Sequence, residues 1–296
     1  MVIGKISVVI PSHNEGENLV DTVDCALANS ATQNIEMVVV DDASTDGSGE
    51  RTAELFAADS RVKVIKAPGV GVAGARNLGA RESTGDILVF LDGHCYTPSG
   101  WLPLLTEPLA EPAVGMVGPV FTSLQDGNGA RGLGVTWRDS SMEIEWLSQQ
   151  DDLPYPVPFL SGCCQAMRRT EFERLGCYDS GMTRWGSEDI ELSLRVWLMG
   201  CQVLVHPEVL LYHLFRSRHP YEVEEGKVLY NRLRTAILHL SGERIARVID
   251  SVKHWPDFAQ SLTWAFESDA VELRRHYQGL RARDDEWFCR RFKCPI

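Results

Sequence analysis

The stretch LVFLDGHCYTP (88–98) runs apolar residues into Asp92 and sets His94 two positions on. Residues two apart on an extended chain share a face, so this carboxylate and imidazole can both reach beyond the carboxyl end of a strand. That is where open α/β sheets bind their ligands. A pair so spaced could grip one divalent cation; an ordinary strand-to-turn junction, where Asp is favoured, is the plainer alternative. Asp41 and Asp42 close a second apolar run, IEMVVVDD, and two acids ending a buried strand must face a donor or a cation. Glu188 and Asp189 open the run EDIELSLRVW, where acids offset a helix dipole and cap free amides.

These groups need a scaffold that gathers strand ends. Apolar, β-branched runs recur at ISVVIP (6–11), IEMVVVDD (35–42), VKVIKA (62–67) and DILVFLD (86–92), with helix-period segments such as 17–29 and 46–58 between them. Strand-helix alternation with short connections predicts an α/β fold, a doubly wound, mostly parallel sheet with helices on both faces. His13, Asn14, Glu15, Asp41, Asp42, Asp92 and His94 should then gather along one edge. The segment GVGVAGARNLGARESTG (69–85) is not a dinucleotide fingerprint, because no acid follows at the required distance on a second strand. It reads as a helix with small residues on its packed face, carrying Arg76 either as a solvated or ion-paired residue or as a pyrophosphate contact.

Farther on, LQDGNGARGLG (124–134) reads as a mobile loop and 137–149 as a helix. YPVPFLSGCCQAMRR (155–169) is expected to be a strand leading into a turn, and the helix opened by Glu188 should be heavily buried. QVLVHP (202–207) and VLLYHLFRSRHPY (209–221) are expected as two short strands, and 241–296 as terminal helices packed on a domain spanning 1–240.

The chain has 296 residues, 44% hydrophobic and 24% charged, a normal globular composition. A net charge of −12 argues against a nucleic-acid or anionic-membrane partner, so a phosphate-bearing ligand would need a local cation or arginines. The opening apolar run is too short for a signal peptide and no later run approaches a transmembrane span, which favours a cytoplasmic protein. The cysteines form no CxxC pair and no zinc spacing, so reduced, mostly buried thiols are expected, pairing or ligand binding by Cys289 and Cys294 being the less favoured alternative.

Taken in order, these motifs resemble the GT-A glycosyltransferases, most closely the polypeptide N-acetylgalactosaminyltransferases. PSHNEGENL (11–19) and VVVDDASTD (38–46) are similar to the nucleotide-binding start of family 2 enzymes. FLDGHC (90–95) resembles the Asp-X-His variant of their metal motif, and YDSGMTRWGSEDIELSLRVW (178–197) and HLFRSRHPY (213–221) resemble two segments typical of the group. The resemblance covers roughly residues 5–240. It implies a UDP-sugar donor, transfer of a hexose or N-acetylhexosamine to an acceptor hydroxyl with retention, and manganese, with magnesium as the alternative, held by Asp92, His94 and His213. The cation would act as a Lewis acid for the departing diphosphate, with Arg76, Arg216 and His219 adding positive charge. The same resemblance implies that Pro11, His13, Glu15, Gly93 and one of Asp41 and Asp42 line the nucleotide site. Gly162 would let the sugar approach the backbone, Glu188 and Asp189 would bind sugar hydroxyls, and Trp185 would belong to a loop closing over the donor. Tyr221 would close the diphosphate side, within a segment, 215–226, expected to behave as a lid.

The chain departs from the group's pattern at Gly69, where an arginine is typical, and at Cys163, where a second glycine is expected and which narrows the sugar pocket. It also shows no Gln-X-Trp repeats or Golgi anchor, so a peptide, a glycan or a natural product is an allowed acceptor. An inverting family 2 enzyme with Asp189 as catalytic base, and a non-catalytic nucleotide-sugar binding protein, are the competing readings.

Overall fold

In a computed structural model describing residues 4–125, 129, 131–148, 151–216 and 220–296, strand and helix alternate from the start. The order is β1 (Ile6–Ser12), α1 (Glu17–Ala28), β2 (Ile35–Asp42), α2 (Ser48–Leu55), β3 (Val62–Ala67), α3 (Gly71–Arg81) and β4 (Ile87–Leu91). There follow β5 (Cys95–Tyr96), α4 (Trp101–Thr106), β6 (Val114–Ser123), β7 (Val135–Trp137), β8 (Ile144–Trp146), β9 (Tyr155–Pro156), β10 (Cys164–Arg168) and α5 (Arg169–Arg174). The chain ends with α6 (Glu188–Leu198), β11 (Gln202–His213), α7 (Glu225–His239), α8 (Gly242–Val252), α9 (Phe258–Glu267), α10 (Ala270–Leu280) and α11 (Asp285–Phe292).

The main sheet runs β3-β2-β1-β4-β10-β6-β11-β5, with β9 beside β11. Its first four strands are parallel; β10 enters antiparallel between β4 and β6, and β6 and β11 are again parallel. The near-continuous apolar runs follow from burial on both faces. Along β4, Ile87, Val89 and Leu91 enter the core under α1 and α4, while Leu88 and Phe90 enter the core shared with α3, α6 and the C-terminal helices. Val248, Ala265, Tyr277 and Phe288 of α8–α11 lie in that second core with Leu192 and Trp197 of α6.

In place of the helix expected over 137–149, of which 149 lies outside the described residues, residues 137–146 belong to the β7–β8 hairpin, in register Val135↔Trp146 and Trp137↔Ile144. The turn chemistry decides this: the Asp139 carboxylate accepts the Ser141 N–H at 2.8 Å, and Met142 adopts a φ of 60°. The two strands expected at 202–207 and 209–221 are joined in one that ends at His213, β11, whose register shifts between His206 and Leu210; 217–219 lie outside the described residues. Pro207, which has no N–H for the ladder, lies in that bulge. Part of the expected loop 124–134, namely 126–128 and 130, lies outside the described residues. No helix among the described residues is long and apolar enough to cross a membrane. All the cysteines are free thiols, Cys289 and Cys294 included.

Candidate active site

Parallel strands that start together also end together. The carboxyl ends of β1, β2 and β4, the start of α6 and the end of β11 meet at a cavity of about 680 Å³. Asp92 follows β4 directly, and its N–H donates to the Cys163 carbonyl at 3.0 Å. His94 lies two residues on, and β11 brings His213 alongside through its antiparallel pairing with β5, His213 opposite Cys95. Ligand atoms of Asp92, His94 and His213 all fall within 4.8 Å of one another. His213 Nε2 is 3.6 Å from Asp92 Oδ2, and neither buried ring nitrogen of His213 has a hydrogen-bond partner. An ion between them would take up the Nε2 lone pair of His213 together with the Asp92 carboxylate, one ligand atom from each side chain. Burial alone would raise the Asp92 carboxyl, but His213, Arg76 and His94 outweigh it and hold it well below the ordinary carboxylate range. One carboxylate and two imidazoles suit a transition-series divalent ion better than calcium.

Around this trio the remaining residues have distinct jobs. Glu15 Oε2 lies 3.1 Å from His94 Nδ1, leaving Nε2 as the free face of that ring, and the same oxygen pairs with Arg216. His94 and Arg216 together outweigh burial and keep the Glu15 carboxyl low. Asp42 faces the cavity, but both its oxygens are engaged by main-chain N–H groups of Gly69, Val70 and Gly71 at 2.7–2.9 Å, so it shapes the loop entering α3. Asp41 points elsewhere, accepting the Ser44 N–H at 3.1 Å and packing against Gly49 of α2. His13 donates from Nδ1 to the Asp42 carbonyl at 2.7 Å and meets Tyr221 edge-on, ring centroids 5.5 Å apart.

Arg76 is not solvated but ion-paired. It is 2% exposed, and its guanidinium donates to Asp92 at 3.1 Å, to Glu188 at 2.9 Å and to the Gly162 carbonyl at 2.8 Å. A side chain at Gly162 would meet that guanidinium at 2.9 Å, which accounts for glycine there. Glu188 also accepts the Gly186 N–H at 2.9 Å; Asp189 accepts Gly162 N–H at 2.7 Å and Ile190 N–H at 2.8 Å. Burial foremost, with Glu188 beside it, pushes the Asp189 carboxyl up to about 7.

Pro11, Gly93 and Trp185 line the cavity as well, whereas His219 lies outside the described residues with 217–218. Several lining residues were not anticipated. Ile144 and Trp146 come from the hairpin, Val228 and Arg232 from α7, and Gly71 and Ala75 from α3. The alternation in IEW could have revealed β8; nothing local marks Arg232. Trp146 meets Phe215 edge-to-face, and the Phe215 ring lies against the His213 imidazole, centroids 4.5 Å apart. Ile144, Trp146, Trp185 and Phe215 leave a partly exposed apolar rim at the mouth.

The family model described as "Glycosyl transferase family 2" matches residues 7–176, and that described as "N-terminal domain of galactosyltransferase" matches 146–220. Probable N-acetylgalactosaminyltransferase 8 of Caenorhabditis elegans is 30% identical over 304 residues, covering 95% of this chain and 70% of that protein. Polypeptide N-acetylgalactosaminyltransferase 3 of Mus musculus is 31% identical over 288 residues, covering 90% of this chain but 43% of that protein, so the chain spans less than half of it. Among solved structures, GalNAc-T7 with UDP, GalNAc and Mn2+ superposes with a TM-score of 0.82 at 24% identity, covering 99% of this chain and 59% of that one. Mannosyltransferase PcManGT from Pyrobaculum calidifontis, in complex with GDP-Man and Mn2+, gives 0.60 at 22% identity, over 95% of this chain and 81% of that one. With the family 2 match spanning more than half its length, the chain belongs to the family 2 glycosyltransferases, as a GT-A domain of the polypeptide N-acetylgalactosaminyltransferase-like group.

Proposed function

We propose that the protein moves a hexose or N-acetylhexosamine from a UDP-sugar to an acceptor hydroxyl, with retention, using manganese held by Asp92, His94 and His213. The observation that carries this is the trio itself, three convergent ligand side chains at the carboxyl edge of the sheet, with His213 Nε2 3.6 Å from Asp92 Oδ2. The relatives support the donor and the metal: the GalNAc-T7 structure holds UDP, GalNAc and Mn2+. When bound, the cation would supply Lewis-acid stabilisation of charge on the departing diphosphate.

The residues of the chain do the rest. Glu15 orients His94, and Arg76 neutralises the cluster of Asp92 and Glu188 from below. Asp42 fixes the 69–71 loop that borders the nucleotide. Glu188 offers the sugar a carboxylate held in place by Arg76 and the Gly186 N–H, and Gly162 leaves room for the sugar against the backbone. Arg216, beside Glu15 at the end of β11, is positioned to meet phosphate oxygens. The apolar rim of Ile144, Trp146, Trp185 and Phe215 would receive the acceptor, and the polypeptide transferases among the relatives support a peptide hydroxyl.

The inverting alternative draws on the raised Asp189 carboxyl, near 7 and so suited to a base. We favour retention because main-chain N–H groups hold both oxygens of Asp189 in place, as suits an orienting group. A panel of UDP-sugars incubated with manganese and no acceptor tests the proposal. Slow release of UDP from one of them, abolished by chelation, is expected; no release from any would overturn it.

A further inference from the structure

The loop between Asp179 and α6 carries Trp185 and Glu188 into the cavity, and its backbone is unusual. Arg184 and Ser187 adopt φ values of 58° and 69°, in the left-handed region that side chains disfavour, and Gly186 has a φ of 100°. Such a run persists only where its surroundings over-determine it. On one side the start of α3 holds it: the Val72 N–H donates to the Arg184 carbonyl at 2.9 Å, and a side chain at Gly71 would meet the same carbonyl at 2.8 Å. On the other side stands α7.

One buried residue of α7 makes most of that contact. Asn231, 1% exposed, accepts the Thr183 N–H at 3.0 Å and donates to the carbonyls of Thr183 at 2.9 Å and Gly186 at 2.8 Å. Its amide therefore reads the loop as a second strand would, filling acceptor and donor capacity at once. A residue along the helix on either side adds to the grip: the Tyr230 hydroxyl donates to the Gly181 carbonyl at 2.8 Å, and Arg234 donates to both oxygens of Asp179 at 2.6 and 2.8 Å.

We propose that Asn231 is a positioning residue of the transferase: it touches neither donor nor metal ligands, but fixes the 183–187 backbone so that Trp185 and Glu188 are preset over the sugar before the donor arrives. The consequence for turnover rests on the UDP-sugar reading above; the consequence for the loop does not.

The test begins with amide hydrogen exchange on the parent protein without nucleotide or metal. The Thr183 amide is expected to exchange at least tenfold more slowly than an unprotected amide; exchange at the unprotected rate would overturn the proposal without any variant. Asn231→Asp then keeps the acceptor for Thr183 but removes the donated bonds to Thr183, Trp185 and Gly186, and Asn231→Ala removes all; either serves if the other fails to fold. Expected are exchange through 183–187 at least tenfold faster, central α6 amides unchanged, and kcat for UDP-sugar hydrolysis down at least tenfold. Affinity for manganese alone and for UDP with manganese should stay within threefold of the parent. A folded variant with parental loop exchange and kcat within twofold would refute the assignment. A loss confined to melting temperature, with kcat per folded molecule intact, would also refute it. A parent that hydrolyses no UDP-sugar, yet shows the protected loop, would sink the donor reading and leave the positioning result standing.

Discussion

Arg76 and Glu188, 112 residues apart in the chain, meet at 2.9 Å in the floor of the cavity, with both side chains almost fully buried. The same guanidinium reaches Asp92 at 3.1 Å, so one cation links the Asp92–His94–His213 cluster to the Glu188 carboxylate. Taking away the cation would leave two acids without a counter-charge, and breaking a buried pair from one side costs about 3–5 kcal/mol. Arg76→Met is therefore expected to lose about that much stability, read from urea unfolding. Arg76→Lys should recover part of it but not activity, since an ammonium cannot fork to Asp92, Glu188 and the Gly162 carbonyl together. A Lys variant with parental turnover would show that only charge matters there.

His213→Ala is expected to weaken manganese binding more than about a hundredfold, since even partners one step removed from a metal cost roughly 10–100-fold. Manganese-dependent UDP binding should fall with it, as calorimetry would register. The fold should survive, because β11 is held by β6 along its length. Unchanged affinity for both would mean that the ion sits elsewhere.

How far the site could be read in advance depended on how local its causes are. Val8, Val39 and Val89 lie in strands buried on both faces, so their runs announced the sheet and the edge where Asp42 and Asp92 emerge. Trp137 misled because an aromatic followed by polar residues also fits a helix; the Asp139–Ser141 turn that decides for a hairpin is a contact of two residues, not a period. Arg76 could not be read as buried, because the partners that make burial tolerable come from β4 and α6. Asn231 carries no signal at all in one dimension: its meaning lies in the loop it faces, 45 and 48 positions earlier.

A third expectation concerns acid stability. Glu191 of α6 is fully buried between Arg195 and His239 of α7, the imidazole Nε2 at 2.6 Å. Burial alone would raise its carboxyl, but Arg195 and His239 outweigh this and hold it at about 2, below the ordinary 4.5. A depressed folded value means that the unfolded chain binds the proton first as pH falls. The stabilisation is present above about 4.5 and drains away toward 2. Glu191→Gln should be less stable than the parent at pH 7 and should lose less further stability between those two pH values. Parallel pH profiles for the two proteins would show that the triad does not govern acid unfolding.

The last expectation separates the two roles open to Asp189. As the base of an inverting transferase it would have to take the acceptor proton, and its loss would cost about a hundredfold to ten-thousandfold in rate. As an orienting group it works through its bonds to the Gly162 and Ile190 amides, 2.7 and 2.8 Å away, which hold Gly162 against the start of α6. Asp189→Asn keeps one of these acceptors and turns an NH2 toward the other amide, so some stability, about 1–3 kcal/mol, should be lost. Turnover per folded molecule should nevertheless stay within about tenfold, or about 1.4 kcal/mol of transition-state stabilisation, because the departing phosphate can take the acceptor proton. Glu188→Gln should do more harm, since it removes the charge that answers Arg76. Proton NMR of the product formed by the parent closes the question independently: the donor's anomeric configuration is expected to be kept. An inverted product, together with a thousandfold loss in Asp189→Asn at unchanged donor affinity, would make Asp189 the base and retention wrong.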